Sequence, residues 1–126
     1  MDSFNRARVE HSVPQNRDEL TRLGDMSPDA IGLRLTAARK VAGYRQNEFA
    51  QELEISTSTY NSQEKRGAPS KAALSTLYKL HGIDFNFIYF GDMRFLPAAL
   101  QRDLLAAIEE VLAAARPSKV PQDNSD

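Results

Sequence analysis

The sequence predicts an all-α protein of five helices, followed by an additional C-terminal amphipathic helix. Apolar residues recur every three or four positions, which is typical of helices rather than strands. Ser, Asp or Pro stands before most of these stretches and Gly stands after several of them, as expected at helix ends. The 126 residues suffice for one such domain with tails and are too few for two domains with separate cores.

The first predicted helix runs from about Pro28 to Ala42. Ser27 before it can accept from free backbone N–H groups, and Asp29 favours the positive end of the helix dipole. Gly43 follows as a C-terminal stop. One side of this helix is apolar and consists of Ile31, Leu35, Ala38 and Ala42.

The remaining helices are separated by short breaks. Ser56, Ser70 and Asp84 are the expected N-caps of three of them. The predicted ranges are 46–53, 57–66, 71–81, 85–90 and about 97–116. The aromatic segment 85–91 also has the composition of a buried strand, but no partner strand is visible and we predict a helix.

These elements divide the chain into four parts. Residues 1–26 are polar, mixed in charge and without a sustained period, so we expect a mobile arm. Residues 27–95 form the predicted five-helix domain, and residues 96–116 form the C-terminal helix. Residues 117–126 are polar, and we expect a disordered tail.

Composition argues against several classes of protein. The chain has no Cys and two His, so we expect no metal site and no cofactor. No nucleophile, base and orienting group occur together, so we do not expect an enzyme. Without an apolar signal core or membrane-length segment, we expect a cytoplasmic protein that makes no membrane contact. The net charge is −1, but residues 28–95 carry 9 basic and 7 acidic side chains.

Several spaced motifs resemble those of the Cro/C1-type family, the phage-repressor-like DNA-binding domains, over about residues 31–92. They are Ile31-Gly32-x-Arg34-Leu35 with Arg39 and Gly43, Gln46-x-x-x-Ala50-x-x-Leu53, Ile55-Ser56 followed by Glu64, and the closing segment 83–91. The resemblance implies a helix-turn-helix unit whose second helix enters the major groove of double-stranded DNA. Two positions depart from the family: Glu54 stands where Gly with positive φ is usual, and Gln63 stands where an apolar residue is common.

The resemblance also implies roles for individual residues. Arg39 and Glu64 would form an ion pair that joins the first helix to the reading helix, and Tyr60 would lie in the core. The implied base contacts are Thr57, Ser58, Asn61, Ser62 and Lys65. The implied phosphate contacts are Arg45, Gln46, Arg66 and Lys71.

The expected function is sequence-specific regulation of transcription, as a repressor bound to an inverted-repeat operator. The last helix carries an apolar stripe for which no further segment remains as cover, so a second subunit is the expected partner. The stripe consists of Leu100, Leu104, Ile108 and Leu112. The alternative is that this helix folds back on its own domain. Two other functions stay open: an antitoxin or restriction-modification controller acting on its own operon, and an adaptor that binds an unidentified protein instead of DNA.

Overall fold

The computed structural model describes residues 16–115, which form seven helices and no strand. The all-α prediction is confirmed. The helices are α1 (Arg17–Thr21), α2 (Pro28–Val41), α3 (Gln46–Glu52), α4 (Thr57–Arg66), α5 (Lys71–His81), α6 (Phe85–Phe90) and α7 (Ala98–Ala115). The caps predicted for α2, α4, α5 and α6 all accept from the backbone N–H three residues later. No helix in residues 16–115 is long and apolar enough to cross a membrane.

Helix α2 lies at the centre and contacts α4, α6 and α7. Its small residues allow α4 to approach closely. A Cβ atom on Gly32 would overlap the carbonyl oxygen of Glu64, and one on Gly67, just after α4, would overlap the backbone of Pro28. Backbone contact at both points fixes the end of α4 against the start of α2.

The prediction of a mobile arm over residues 1–26 is wrong for its second half. Residues 17–21 form α1, where Leu20 and Thr21 are buried. The N–H of Gly24 donates to the carbonyl oxygen of Phe90 at 2.7 Å, which ties this segment to α6. So short a helix has no apolar period in the sequence, and tertiary contacts hold it in place. Residues 1–15 and the predicted tail 117–126 lie outside the described residues.

The prediction of a dimer interface is wrong for Leu104 and Ile108, the two central residues of the apolar stripe on the C-terminal helix. Leu104 and Ile108 are fully buried in the core of their own chain, and Leu100 and Leu112 are partly buried against that core. Helix α7 packs along α2, and Lys40 Nζ lies 3.8 Å from Glu110 Oε1 at the edge of this contact. The folded-back alternative therefore describes this helix, because α7 packs against both α1 and α2 of its own chain.

Candidate nucleic-acid interface

Helices α3 and α4 are joined by a turn of four residues, 53–56. Glu54 adopts φ = +61° there, as the sequence predicted. A non-Gly residue in this left-handed region costs on the order of 1 kcal/mol. Ser56 then caps α4 by accepting from the N–H of Thr59 at 3.1 Å. The tight turn and its cap set the angle at which α4 leaves α3.

The inner face of α4 is held by a buried ion pair. Arg39 Nε donates to Glu64 Oε2 at 2.6 Å, and both residues are 8% exposed. The structure thus brings these two residues together as the sequence predicted. Tyr60 is fully buried, also as predicted, and its hydroxyl donates to the same Oε2 at 2.5 Å. Arg39 also donates to the backbone oxygen of Tyr44 at 2.9 Å, which ties the pair to the loop before α3.

These contacts keep Glu64 charged. Burial alone would raise its pKa, but hydrogen bonds from Arg39 and Tyr60 and the charge of Arg39 outweigh burial and lower it. The pKa of Tyr60 is raised, first by burial and then by the carboxylate beside it, so its hydroxyl remains a donor. A buried carboxylate that accepts from three side chains has a fixed position. Helix α4 carries that carboxylate and is fixed with it.

Gln46, the first residue of α3, is the third side chain bound to Glu64. Its Nε2 donates to Glu64 Oε1 at 2.9 Å and also to Asn61 Oδ1 at 2.9 Å. A carboxamide nitrogen has two hydrogens, and both are engaged here. In the observed conformation this side chain has no free donor for a phosphate oxygen, and the phosphate contact predicted for it stays a prediction. No pattern in the sequence indicates this arrangement, because the orientation of an amide depends on its neighbours in space.

The predicted base-contacting residues lie on the outer part of α4. Thr57, Ser58 and Lys65 are exposed, while Asn61 and Ser62 are partly buried. Asn61 and Lys65 also line a groove whose other side is formed by Thr36 of α2 and by Val111 and Leu112 of α7. The end of the C-terminal helix therefore borders one side of this surface, which the sequence did not predict.

The predicted cationic residues lie at the start of α3, in the last turn of α4 and at the start of α5. Arg45, Lys65, Arg66 and Lys71 are all exposed. Arg45, the residue before α3, is paired with Glu48 of that helix, with 3.1 Å between Nη2 and Oε2. The other three cations have no salt bridge within residues 16–115, so their charge is available to a polyanion.

A hydrogen bond at the corner between α4 and α5 explains why position 63 holds a polar residue. Gln63 Oε1 accepts from the backbone N–H of Ser70 at 2.9 Å, and Ser70 in turn caps α5. Gly67 ends α4 with φ = +61°. A carboxamide thus fixes the corner where an apolar residue was expected.

The class of protein that these features define is a small α-helical domain with a polar, cation-flanked helix fixed on a buried ion pair. Comparison with protein-family models, with curated proteins and with solved structures found no match for this chain. The residues described above are therefore the basis for a proposal of function.

Proposed function

We propose that this chain is a sequence-specific DNA-binding regulator of transcription, with α3 and α4 as a helix-turn-helix unit of the Cro/C1 type. Helix α4 would enter the major groove and read base edges. The observation that carries the proposal is the contrast between the two sides of α4. Its inner side is fixed by the buried Arg39–Glu64 pair, whereas its outer side presents uncharged hydrogen-bonding groups to solvent.

The outer side chains have the chemistry needed for base readout. Hydroxyl groups of Thr57, Ser58 and Ser62 donate to or accept from several base edges, and the methyl group of Thr57 fits against that of thymine. Arg66 is the last residue of α4 and Lys71 is the first residue of α5, where their charge would meet the phosphate backbone. Rigid support matters because base readout requires donors and acceptors to be placed within a few tenths of an ångström.

The proposed assembly on DNA is a homodimer on an inverted repeat. Two-fold symmetry would place two copies of α4 about 34 Å apart, one helical turn of DNA. Leu104 and Ile108 do not supply this interface because they are buried within their own chain. Sedimentation of the complex with a selected site tests the assembly: two chains per site support it, and one chain per site contradicts it.

Selection of bound sequences from a random DNA pool tests the function itself. Recovery of one consensus sequence supports sequence-specific binding, and recovery of none contradicts it. Asn61→Ala is then expected to weaken binding to the consensus by about 1–3 kcal/mol and binding to random DNA much less. Equal losses on both DNAs would remove Asn61 from base readout.

Salt titration tests the predicted phosphate contacts. Arg66→Ala and Lys71→Ala should each weaken binding to all sequences and reduce the slope of log affinity against log salt by about 1. Lys79→Ala is a matched control, since Lys79 is an exposed cation near the other end of α5. An unchanged slope in either test variant would contradict the phosphate assignment.

A protein adaptor is the second candidate function, and one observation favours it. Phe85 and Phe95 are 52% and 71% exposed, which is unusual for side chains of this size. An adaptor would yield no consensus from the random pool, so the same selection separates the two functions. An antitoxin or restriction-modification controller would bind DNA in the same way, and a toxin or nuclease gene beside its own would identify it.

A further inference from the structure

The Gln46 side chain has one polar atom left for a ligand. Both Nε2 hydrogens are engaged, one by Glu64 Oε1 and one by Asn61 Oδ1. Its Oε1 has no hydrogen bond within residues 16–115. Gln46 is also partly exposed, at the start of α3 beside α4. The free atom of this residue is therefore an acceptor.

The orientation of this amide is fixed by the carboxylate beneath it. Glu64 is an acceptor, so the amide group that faces it must be the NH2 and not the oxygen. Rotation of the Gln46 amide by 180° would place two oxygens against each other within the buried network, which is unfavourable. The second N–H then meets Asn61 Oδ1, so the NH2 group of Asn61 points away from that contact.

We propose that Gln46 and Asn61 form one base-reading unit, in which Gln46 Oε1 accepts from the amino group of a base and Asn61 Nδ2 donates to a neighbouring base acceptor. This inference rests on the proposed function and assigns Gln46 to base readout instead of phosphate contact. In the major groove the amino donors are N6 of adenine and N4 of cytosine, whereas guanine and thymine present acceptors. The base read by Gln46 is therefore adenine or cytosine.

Single-atom changes in DNA test this assignment directly. Each adenine and cytosine of the selected consensus is replaced, one at a time, by the analogue that lacks the exocyclic amino group. Affinity is measured by fluorescence anisotropy at one salt concentration. For the wild-type chain, one such replacement within the α4 contact region should weaken binding by on the order of 10-fold.

Variants of Gln46 then show which residue reads that amino group. Gln46→Met removes the acceptor, so the variant should bind the normal and amino-deleted sites with affinities equal within about twofold. Gln46→Lys keeps donors for Glu64 and Asn61 but has no acceptor, and it should show the same loss of discrimination. Gln51→Met is the matched control, because Gln51 is exposed on the same helix; it should discriminate like the wild type.

Each other outcome overturns the inference. A Gln46→Met variant that still discriminates shows that another residue reads the amino group. If Gln46→Met weakens binding to the normal and the amino-deleted site by the same factor, and its thermal unfolding midpoint is that of the wild type, Gln46 would be assigned to the phosphate backbone. If Gln46→Met does not fold, the lysine variant decides in the same way. Failure of the random pool to yield a consensus contradicts the proposed function, whereas a consensus with no Gln46-dependent amino group contradicts this inference alone.

Discussion

Two buried arginines on the same helix are satisfied in different ways. Arg34 is fully buried, and its hydrogen-bond partners within residues 16–115 are five backbone carbonyl oxygens. Arg39 lies five residues further along α2 and binds the Glu64 carboxylate. The carbonyls around Arg34 belong to residues 21, 22, 25, 88 and 89, so this side chain joins the segment after α1 to the end of α6.

The difference shows two uses of a buried guanidinium. Around Arg34 all five N–H donors meet fixed backbone atoms, and the network ends there. Besides the backbone oxygen of Tyr44, Arg39 donates to a side-chain acceptor, the Glu64 carboxylate. This carboxylate also accepts from Tyr60 and Gln46, and Gln46 donates in addition to Asn61 near the surface. We infer that the Arg34 region holds the chain together, whereas the Arg39 region sets the geometry of the proposed DNA-binding surface.

The largest effect is expected at Arg34. Arg34→Met removes five hydrogen bonds to buried and partly buried carbonyl groups, of which the Arg22 carbonyl keeps a second donor in the N–H of Asp25. We expect a loss of at least about 4 kcal/mol in the free energy of unfolding. Urea denaturation followed by circular dichroism measures it. Arg102→Met on the exposed side of α7 is the control and should change stability by less than about 0.5 kcal/mol. A loss below about 1 kcal/mol at Arg34 would mean that the segment after α1 is held by other contacts.

A smaller effect is expected at Glu64. Glu64→Gln keeps the shape but removes the charge that Arg39 and Tyr60 face, and we expect a loss of about 2–3 kcal/mol in unfolding free energy. Binding to the selected DNA should fall more than stability alone explains, because α4 loses its fixed position. Glu52→Gln, exposed on α3, is the control. If Glu64→Gln still distinguishes the selected DNA from random DNA as well as the wild type does, the Arg39–Glu64 pair does not set the geometry of the DNA-binding surface.

The hydrogen bonds of Arg39 and Arg34 should also differ in how their contributions to the free energy of unfolding depend on pH. The pKa of Glu64 is lower in the folded chain than its ordinary value of 4.5. Its stabilising contribution is therefore complete above that value and is lost as the pH falls through the folded-state pKa. The stability difference between wild type and Glu64→Gln should shrink over this range.

Carbonyl groups do not titrate, and the pKa of Asp25 is lowered mainly by hydrogen bonds from Ser27 and less by the charge of Arg34. The difference between wild type and Arg34→Met should therefore change much less over the same range. Denaturation series between about pH 7 and pH 3 measure both differences. Parallel pH profiles for wild type and Glu64→Gln would contradict a charged Glu64 in the folded chain.

The smallest effect is expected in the turn that leads to α4. Glu54→Gly removes a side chain from a position with φ = +61°, and stability should be unchanged or should rise by up to about 1 kcal/mol. Glu54→Ala keeps a Cβ atom and should give no such gain. Thermal unfolding compares the three chains. A clearly lower unfolding midpoint for Glu54→Gly would show that the Glu54 side chain itself stabilises the folded chain.

Much of the fold could be predicted from the sequence, because helix ends are specified locally. Ser27, Ser56, Ser70 and Asp84 cap the helices they precede, and spacing alone located α2 to α7. The positive φ of Glu54 was predicted from the motif around it. Short α1 escaped prediction because only Leu20 and Thr21 of its five residues are buried, which leaves no period to detect.

The sequence by itself determined the helical elements and their caps, and its resemblance to the Cro/C1-type motifs predicted the pairing of Arg39 with Glu64. Tertiary structure decided what covers the apolar stripe of α7, because the spacing of Leu104 and Ile108 is the same whether a second subunit or α2 lies against it. Tertiary structure also decided the orientation of the Gln46 amide, because its NH2 group faces the carboxylate of Glu64, 18 residues away in the chain. Local patterns specify helices, whereas contacts between distant residues specify which atoms remain free at the surface.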